Sequence, residues 1–251
     1  KYPTASAVWS IQYDGRTTYP WLTWKGIPDD AKFLDLVPIF TGTDLETISD
    51  NLFGSFALQK DIDLSSYSNV TRSLILGIFT GTLDGNGYQI SDLLIGINSV
   101  GADPTWGVGL FESFTGATVE QLTLSGIHIE LTDQSSGLYY AYGILVGHIA
   151  HSNTPTRISS LVITDSSIVG TTIQEAGGIA GLLRGTASIK AQAIISDTQI
   201  DVTIDAPDPK GFVIGRADLK YELTLINVVG SGTGLSDVGV SDSSGTITRN
   251  P

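Results

Sequence analysis

Four glycines recur at one constant step along the chain: Gly109, Gly143, Gly177 and Gly211. Three more, Gly147, Gly181 and Gly215, keep the same step in a second register. Apolar residues fill the interval between the two registers: Leu110 and Phe111, Ile144 to Val146, Ile179 and Ala180, Phe212 to Ile214. Glycine makes up 29 of 251 residues, so seven matches in one frame are not an accident of abundance. A constant period of this size is the mark of one structural unit stacked on copies of itself. Such a unit cannot bury its apolar face alone, so the chain is constrained to a solenoid.

The residue types say which kind. Val, Ile, Thr and Tyr are common, Gly and Ser punctuate short apolar runs, and long helical periodicity is missing, which favours strands. After each glycine signature comes a second apolar strand: Val119, Leu122 and Leu124; Ile158, Leu161 and Ile163; Ala193 and Ile195; Leu223 and Leu225. Inward Ile, Val, Leu and Phe then fall into vertical rows, each buried aliphatic contributing about 1.5–3 kcal/mol. Six or seven coils about 4.8 Å apart would make a rod of roughly 30 Å. Asp165 in "VITDSSI" and Asp197 in "IISDTQI" are expected at matching places, and as like charges they belong at turns, facing water or bonded to backbone amides.

Charge and composition exclude several functions. The net charge is −13, which opposes bulk electrostatic binding of nucleic acid or anionic lipid. There is no cysteine, so disulfides, thiolate metal sites and cysteine nucleophiles are out. No apolar run is long enough to cross a bilayer, so no membrane-spanning helix is expected. With no methionine and Lys1 as its first residue, the chain is read as part of a longer one.

Residues 1–26 read as the end of a preceding block. Asp14-Gly15 between two apolar runs predicts a small hairpin. Trp9, Trp21 and Trp24 cover a core end or, alternatively, form a sugar-stacking platform. Residues 27–42, with Pro28 and Pro38, read as a linker and then an edge strand. Thr43-Asp-Leu-Glu46 has the form of a capping box, and Leu45, Ile48 and Leu52 share one helical face, so a short helix is expected over 44–51, ending near Gly54. It would plug the open end of the stack. The tail from about Gly230, rich in Ser, Gly and Asp, is expected to be a loose cap or the start of a linker.

The run Phe79-Thr-Gly-Thr-Leu-Asp-Gly-Asn-Gly-Tyr-Gln-Ile90 resembles the start of the glycine-rich GLUG repeats of bacterial surface exoproteins. "ALQKDIDLSSY" before it, and "GLF", "GILVG", "GGIAG" and "GFVIG" after it, are similar to the same family. The stretch from Val8-Trp9 to Trp24 resembles the segment that closes one repeat block in such proteins. The resemblance covers almost the whole chain, with the unit after Gly215 departing from it. It implies an all-β, right-handed parallel β-helix at 41–251 with one short N-terminal capping helix, and residues 1–40 as the end of a preceding block.

Chemistry is sparse. His148 and His151 have metal-like spacing only on a helix, and here they fall at a strand end. No glutamate stands beside them as zinc hydrolysis requires. His128 alternates with Ile127 and Ile129 and is expected on the outside. Asp61, Asp63 and Asp84 are read as turn caps; Asp84-Gly-Asn-Gly lacks the later ligands of a calcium loop. There is no G-x-S-x-G, no phosphate loop and no metal or cofactor motif, so no cofactor is expected. The candidate ligand contacts are Trp106, Tyr139, Tyr140 and Tyr142, in the two long loops 96–107 and 132–142, because aromatic faces stack on sugars and anchor protein interfaces.

The resulting expectation is a non-enzymatic stalk and display segment of a secreted or cell-surface bacterial adhesin. Its partner would be a host glycoprotein or a matrix polysaccharide. The alternative is a β-helical carbohydrate-active enzyme, a polysaccharide lyase or glycosidase, which would be favoured by clustered carboxylates and an arginine on one surface.

Overall fold

The computed structural model describes residues 8–10, 21–23, 36–67, 70–97, 107–131, 141–171, 173, 175–206, 210–231, 236–241 and 245–250. The chain divides into two compact units, Lys1–Leu36 and Val37–Pro251. In the first, strands Val8–Ser10 and Trp21–Thr23 pair antiparallel, with Trp9 opposite Leu22, as a hairpin requires. The Asp14-Gly15 turn between them lies outside the described residues, as does Trp24.

The second unit is an all-β parallel β-helix with one short α-helix. Its strands form two large sheets in which neighbours come from successive coils and pair in parallel. The expected rows are present. On one wall Leu83, Val119, Ile158, Ile195 and Leu225 stand above one another, all buried. Ile90, Leu124, Ile163 and Ile200 make the next row, and Ile95, Ile129, Ile168 and Ile204 a third. On the opposite wall the row runs Ile75, Phe111, Val146, Ala180, Ile214. The first coils carry the bulk: Phe79, Phe111 and Phe114 pack at centroid distances of 4.9–5.9 Å. Later coils are filled mainly by aliphatics and alanine, with Tyr142 and Tyr221 also buried.

The constant glycine step has a specific cause. Gly143, Gly177 and Gly211 pair in register. Shortly after these glycines each chain bends and a second arm pairs in its own register, Val146 with Ala180 with Ile214. The two arms then lie in backbone contact. A Cβ on Gly147 would come within 2.1 Å of the Val108 nitrogen, one on Gly181 within 2.2 Å of the Tyr142 nitrogen, and one on Gly215 within 2.5 Å of the Ala176 nitrogen. No side chain fits there.

On the other wall the corners are built mostly from non-glycine residues in the left-handed region. Gln121, Ser160, Asp197 and Asn227, with φ between 49° and 53°, occupy one corner on successive coils. Asp92, Gly126 and Asp165 occupy the next. Asp165 and Asp197 are therefore both at turns, but not at matching places. Ile163 pairs with Ile200, and Ile158 with Ile195, which puts the two aspartates on different corners. The similar words "VITDSSI" and "IISDTQI" reflect the same local device, a hydroxyl bonded back across an αL residue: Ser166 Oγ to the Thr164 carbonyl, Thr198 Oγ1 to the Ser196 carbonyl.

The helix is real but starts earlier than the Thr43–Glu46 box predicts. It spans Gly42–Glu46 and passes into a 3-10 turn, Thr47–Asp50. Its cap is Thr41: the Asp44 amide donates to Thr41 Oγ1, and Asp44 Oδ2 accepts from the Thr41 and Phe40 amides. Asp44 reaches back where Glu46 was expected to. Leu45 and Ile48 are fully buried. The segment closes the rim of the eight-stranded sheet that carries the row from Ile75 to Ile214, the narrow wall. Leu76 and Thr80 amides, on the edge strand Ile75–Phe79 and just beyond it, donate to Ser49 Oγ and the Leu52 carbonyl. Strand Leu36–Ile39, with Pro38, lies at the edge of the other wall, where a missing N–H is tolerated.

At the far end the tail is more regular than a loose cap or linker. Strands Ser236–Ser241 and Thr246–Asn250 pair in parallel on the preceding coil, Val238 beside Ile214 and Ile247 beside Leu223. The step from Ile214 to Val238 is shorter than the earlier ones, so a fixed period does not find it.

Candidate functional site

Of the aromatic residues expected to contact ligand, Trp106, Tyr139 and Tyr140 lie outside the described residues. Tyr142 does not fit that role. It lies in the strand Ala141–Gly143, is 1% exposed and packs in the core, with its backbone opposite Val108 and Ala176. Strand periodicity turns it inward from the loop that precedes it.

The histidines separate as expected. His148 is buried within strand Val146–Ala150, and His151 is exposed beyond its end. His128 is half-buried, with Nδ1 2.9 Å from Ser167 Oγ on the next coil. Among the described residues no group of three or more acidic or histidine side chains is placed to hold a metal ion. Asp61, Asp63 and Asp84 cap backbone amides of Gln89, Ser65 and Asn86. The Ser65 hydroxyl and amide hold the Asp63 carboxyl below its usual range.

The site that sequence reasoning missed is on the outer face of the narrow wall. The residues that follow Gly147, Gly181 and Gly215 turn away from the neighbouring arm, in a row buried at its first members and partly exposed at Arg216. These are His148, Leu182 and Arg216, one row on three successive coils, with Ser113 one coil earlier. Arg184 and Asp218, further along the same strands, form the next row. Glu175, from the strand Glu175–Gly177, reaches the same place. Arg216 joins the acids: Nη1 lies 3.5 Å from Glu175 Oε1 and Nη2 3.5 Å from Asp218 Oδ2. Arg184 Nε stands 3.8 Å from the same Asp218 oxygen. These are ion pairs rather than a tight hydrogen-bonded fork. The carboxylates sit behind, with 10% and 17% of their side chains exposed; the guanidinium groups stand in front, 40% and 50% exposed.

Burial governs the electrostatics. It pushes the Glu175 carboxyl above its usual range, with Asp218 adding to the shift and the attraction of Arg216 and then Arg184 too weak to reverse it. Burial also pulls His148 down to about 4, helped by the positive charge of Arg184 and by His151. At neutral pH the imidazole is therefore neutral, and the cluster sets two arginines against two carboxyl groups. A buried carboxyl that takes a proton readily, a second carboxylate and two arginines on rigid strands are the ingredients of proton transfer beside an anion-binding surface.

Part of this was legible. Arg184 and Asp218 stand one glycine step apart, so the repeat alone would have paired them, and Arg216 follows Gly215 directly. Glu175 carries no such signal, since its approach depends on how the two arms fold together.

No protein-family model and no curated protein matches the chain. Among solved structures it is similar to a crystal structure of "a putative immunoglobulin A1 protease from Bacteroides ovatus". The TM-score is 0.58 and the identity 18%, over 85% of this chain and 64% of that one. At this identity the likeness is one of fold. Among the described residues no helix is long and apolar enough to cross a membrane. The expectation of a non-enzymatic chain is corrected by the same comparison: a chain with this fold carries a protease's name, so the β-helix gives no ground for excluding catalysis.

Proposed function

We propose that the chain is a segment of a secreted or cell-surface bacterial adhesin of the GLUG-repeat type, acting as stalk and ligand-display scaffold. The observation that carries this reading is the unbroken pairing of one wall from Leu83 to Leu225, coil upon coil, which makes a stiff support. Chain of differing length links successive rungs of that wall, and variable segments on a rigid frame are where recognition resides. The partner on this reading is a host glycoprotein or a matrix polysaccharide, met by the aromatic residues Trp106, Tyr139 and Tyr140. A glycan and glycoprotein array probed with the chain and with a Tyr139→Ala/Tyr140→Ala variant tests it. The expected outcome is binding by the parent that the variant loses; equal binding by both, or none by either, overturns it.

A second reading, a carbohydrate-active or other hydrolytic enzyme, is favoured by the gathering of Glu175, Asp218, Arg216 and Arg184 on one face. Glu175 is the candidate proton donor, Asp218 the candidate base, and the arginines the holders of an acidic substrate. Acidic polysaccharides and immunoglobulin A1 are the substrates to screen. Turnover that Glu175→Gln abolishes supports this reading, and no turnover of either class removes it.

A further inference from the structure

We propose that His148 makes the outer face of the narrow wall an acid-triggered release: when its imidazole takes a proton, the folded arms around it come apart while the opposite wall stays paired. The geometry supplies the trigger, a histidine 7% exposed, locked in a row between Ser113 and Leu182. Its strand is pressed against the neighbouring arm at Gly147 with no side chain between them, and so close a contact passes strain from one arm to the other.

The charged groups around it decide the direction. His151 follows on its own chain. Arg184 comes from Ala180–Arg184, Arg216 and Asp218 from Lys210–Asp218, and Glu175 from Glu175–Gly177. On the other side strand Phe111–Phe114 brings Glu112, whose Oε2 accepts from the Gly77 amide at 2.6 Å. Lys210 is turned to the Ala206 carbonyl. As pH falls, Glu175 is neutralised first because burial already favours its protonated form. The cation on His148 then appears within the field of Arg184 and His151. Opening lets the imidazole reach water and titrate at its ordinary value.

Hydrogen exchange of the whole chain at pH 7 and pH 4.5, corrected for intrinsic rates, tests this. For a site titrating near 4 when closed and near 6.5 when open, opening should increase by roughly 50-fold between the two conditions. The amides concerned are those of Val146–Ala150, Ala180–Arg184 and Lys210–Asp218. Those of Thr118–Glu120 and Thr123–Ser125 should change far less. His148→Leu, which places in the row the residue already present at Leu182, should remove the acid response; Glu175→Gln should keep it. Equal protection of the parent at both pH values, or an unchanged acid response in His148→Leu, overturns the proposal. Should His148→Leu fail to fold, the ring signals of His148 in the parent decide: a midpoint near 4 accompanied by opening supports it, and one between 6 and 7 overturns it.

Discussion

At the scale of single residues the fold is decided by what is left out. Gly181 is the sharpest case, because a methyl group there would overlap the Tyr142 backbone at 2.2 Å. Gly181→Ala should destabilise by at least about 2 kcal/mol in a denaturant titration, since backbone rather than a flexible side chain must move. Thr156 is the opposite case. Its Oγ1 is fully buried in a core row with Ala193 and Leu223 and has no hydrogen-bond partner among the described residues. Thr156→Val keeps the shape and removes an unsatisfied hydroxyl, so it should be neutral or stabilising by up to about 1 kcal/mol in the same titration. The glycine requirement was readable in the sequence, because a backbone contact repeated on three successive coils leaves the same mark each time. The Thr156 hydroxyl was not, because threonine is at home on strands whichever way it points.

At the scale of elements, period and register are separate facts. The narrow wall keeps its constant step from Val146 through Ala180 to Ile214 and so announced itself. The other wall does not, and Asp165 and Asp197 show the consequence: similar words a little less than one step apart occupy different corners because the chain between rungs changes length. The helix shows a related limit. Thr41 and Thr43 both begin a sequence that can cap, and the choice falls to Thr41 because Asp44 is near enough to accept from two amides at once. Thr41→Ala should reduce stability by about 0.5–2 kcal/mol. It should also speed hydrogen exchange at Leu76 and Thr80 more than elsewhere, because the segment after the cap receives those amides.

For the whole molecule, acid is the condition that separates the two walls. His148 binds its proton less readily when folded than when unfolded, so its contribution to stability is intact above about pH 6.5 and is lost as pH falls toward 4. The loss amounts to about 3 kcal/mol at most. Glu175 acts in the opposite sense: its raised value favours the fold at low pH and disfavours it as pH rises through that value. A thermal melt series from pH 7 to 4 should therefore fall through the histidine range, partly offset by the glutamate. His148→Leu should flatten the fall and Glu175→Gln should leave it standing. A wall whose ion pairs and histidine share one face cannot be read from composition, since the groups come from positions 148, 175, 184, 216 and 218.

The stretches of chain from Leu83 to Val119, from Val119 to Ile158 and from Ile195 to Leu225 all differ in length, yet all five residues stand in one row. Each level is thus insulated from changes in its neighbours. New sequence can be accepted between two rungs without retuning those above or below. Lineages under pressure to alter what they expose can diversify one storey at a time while the rest of the tower is inherited intact.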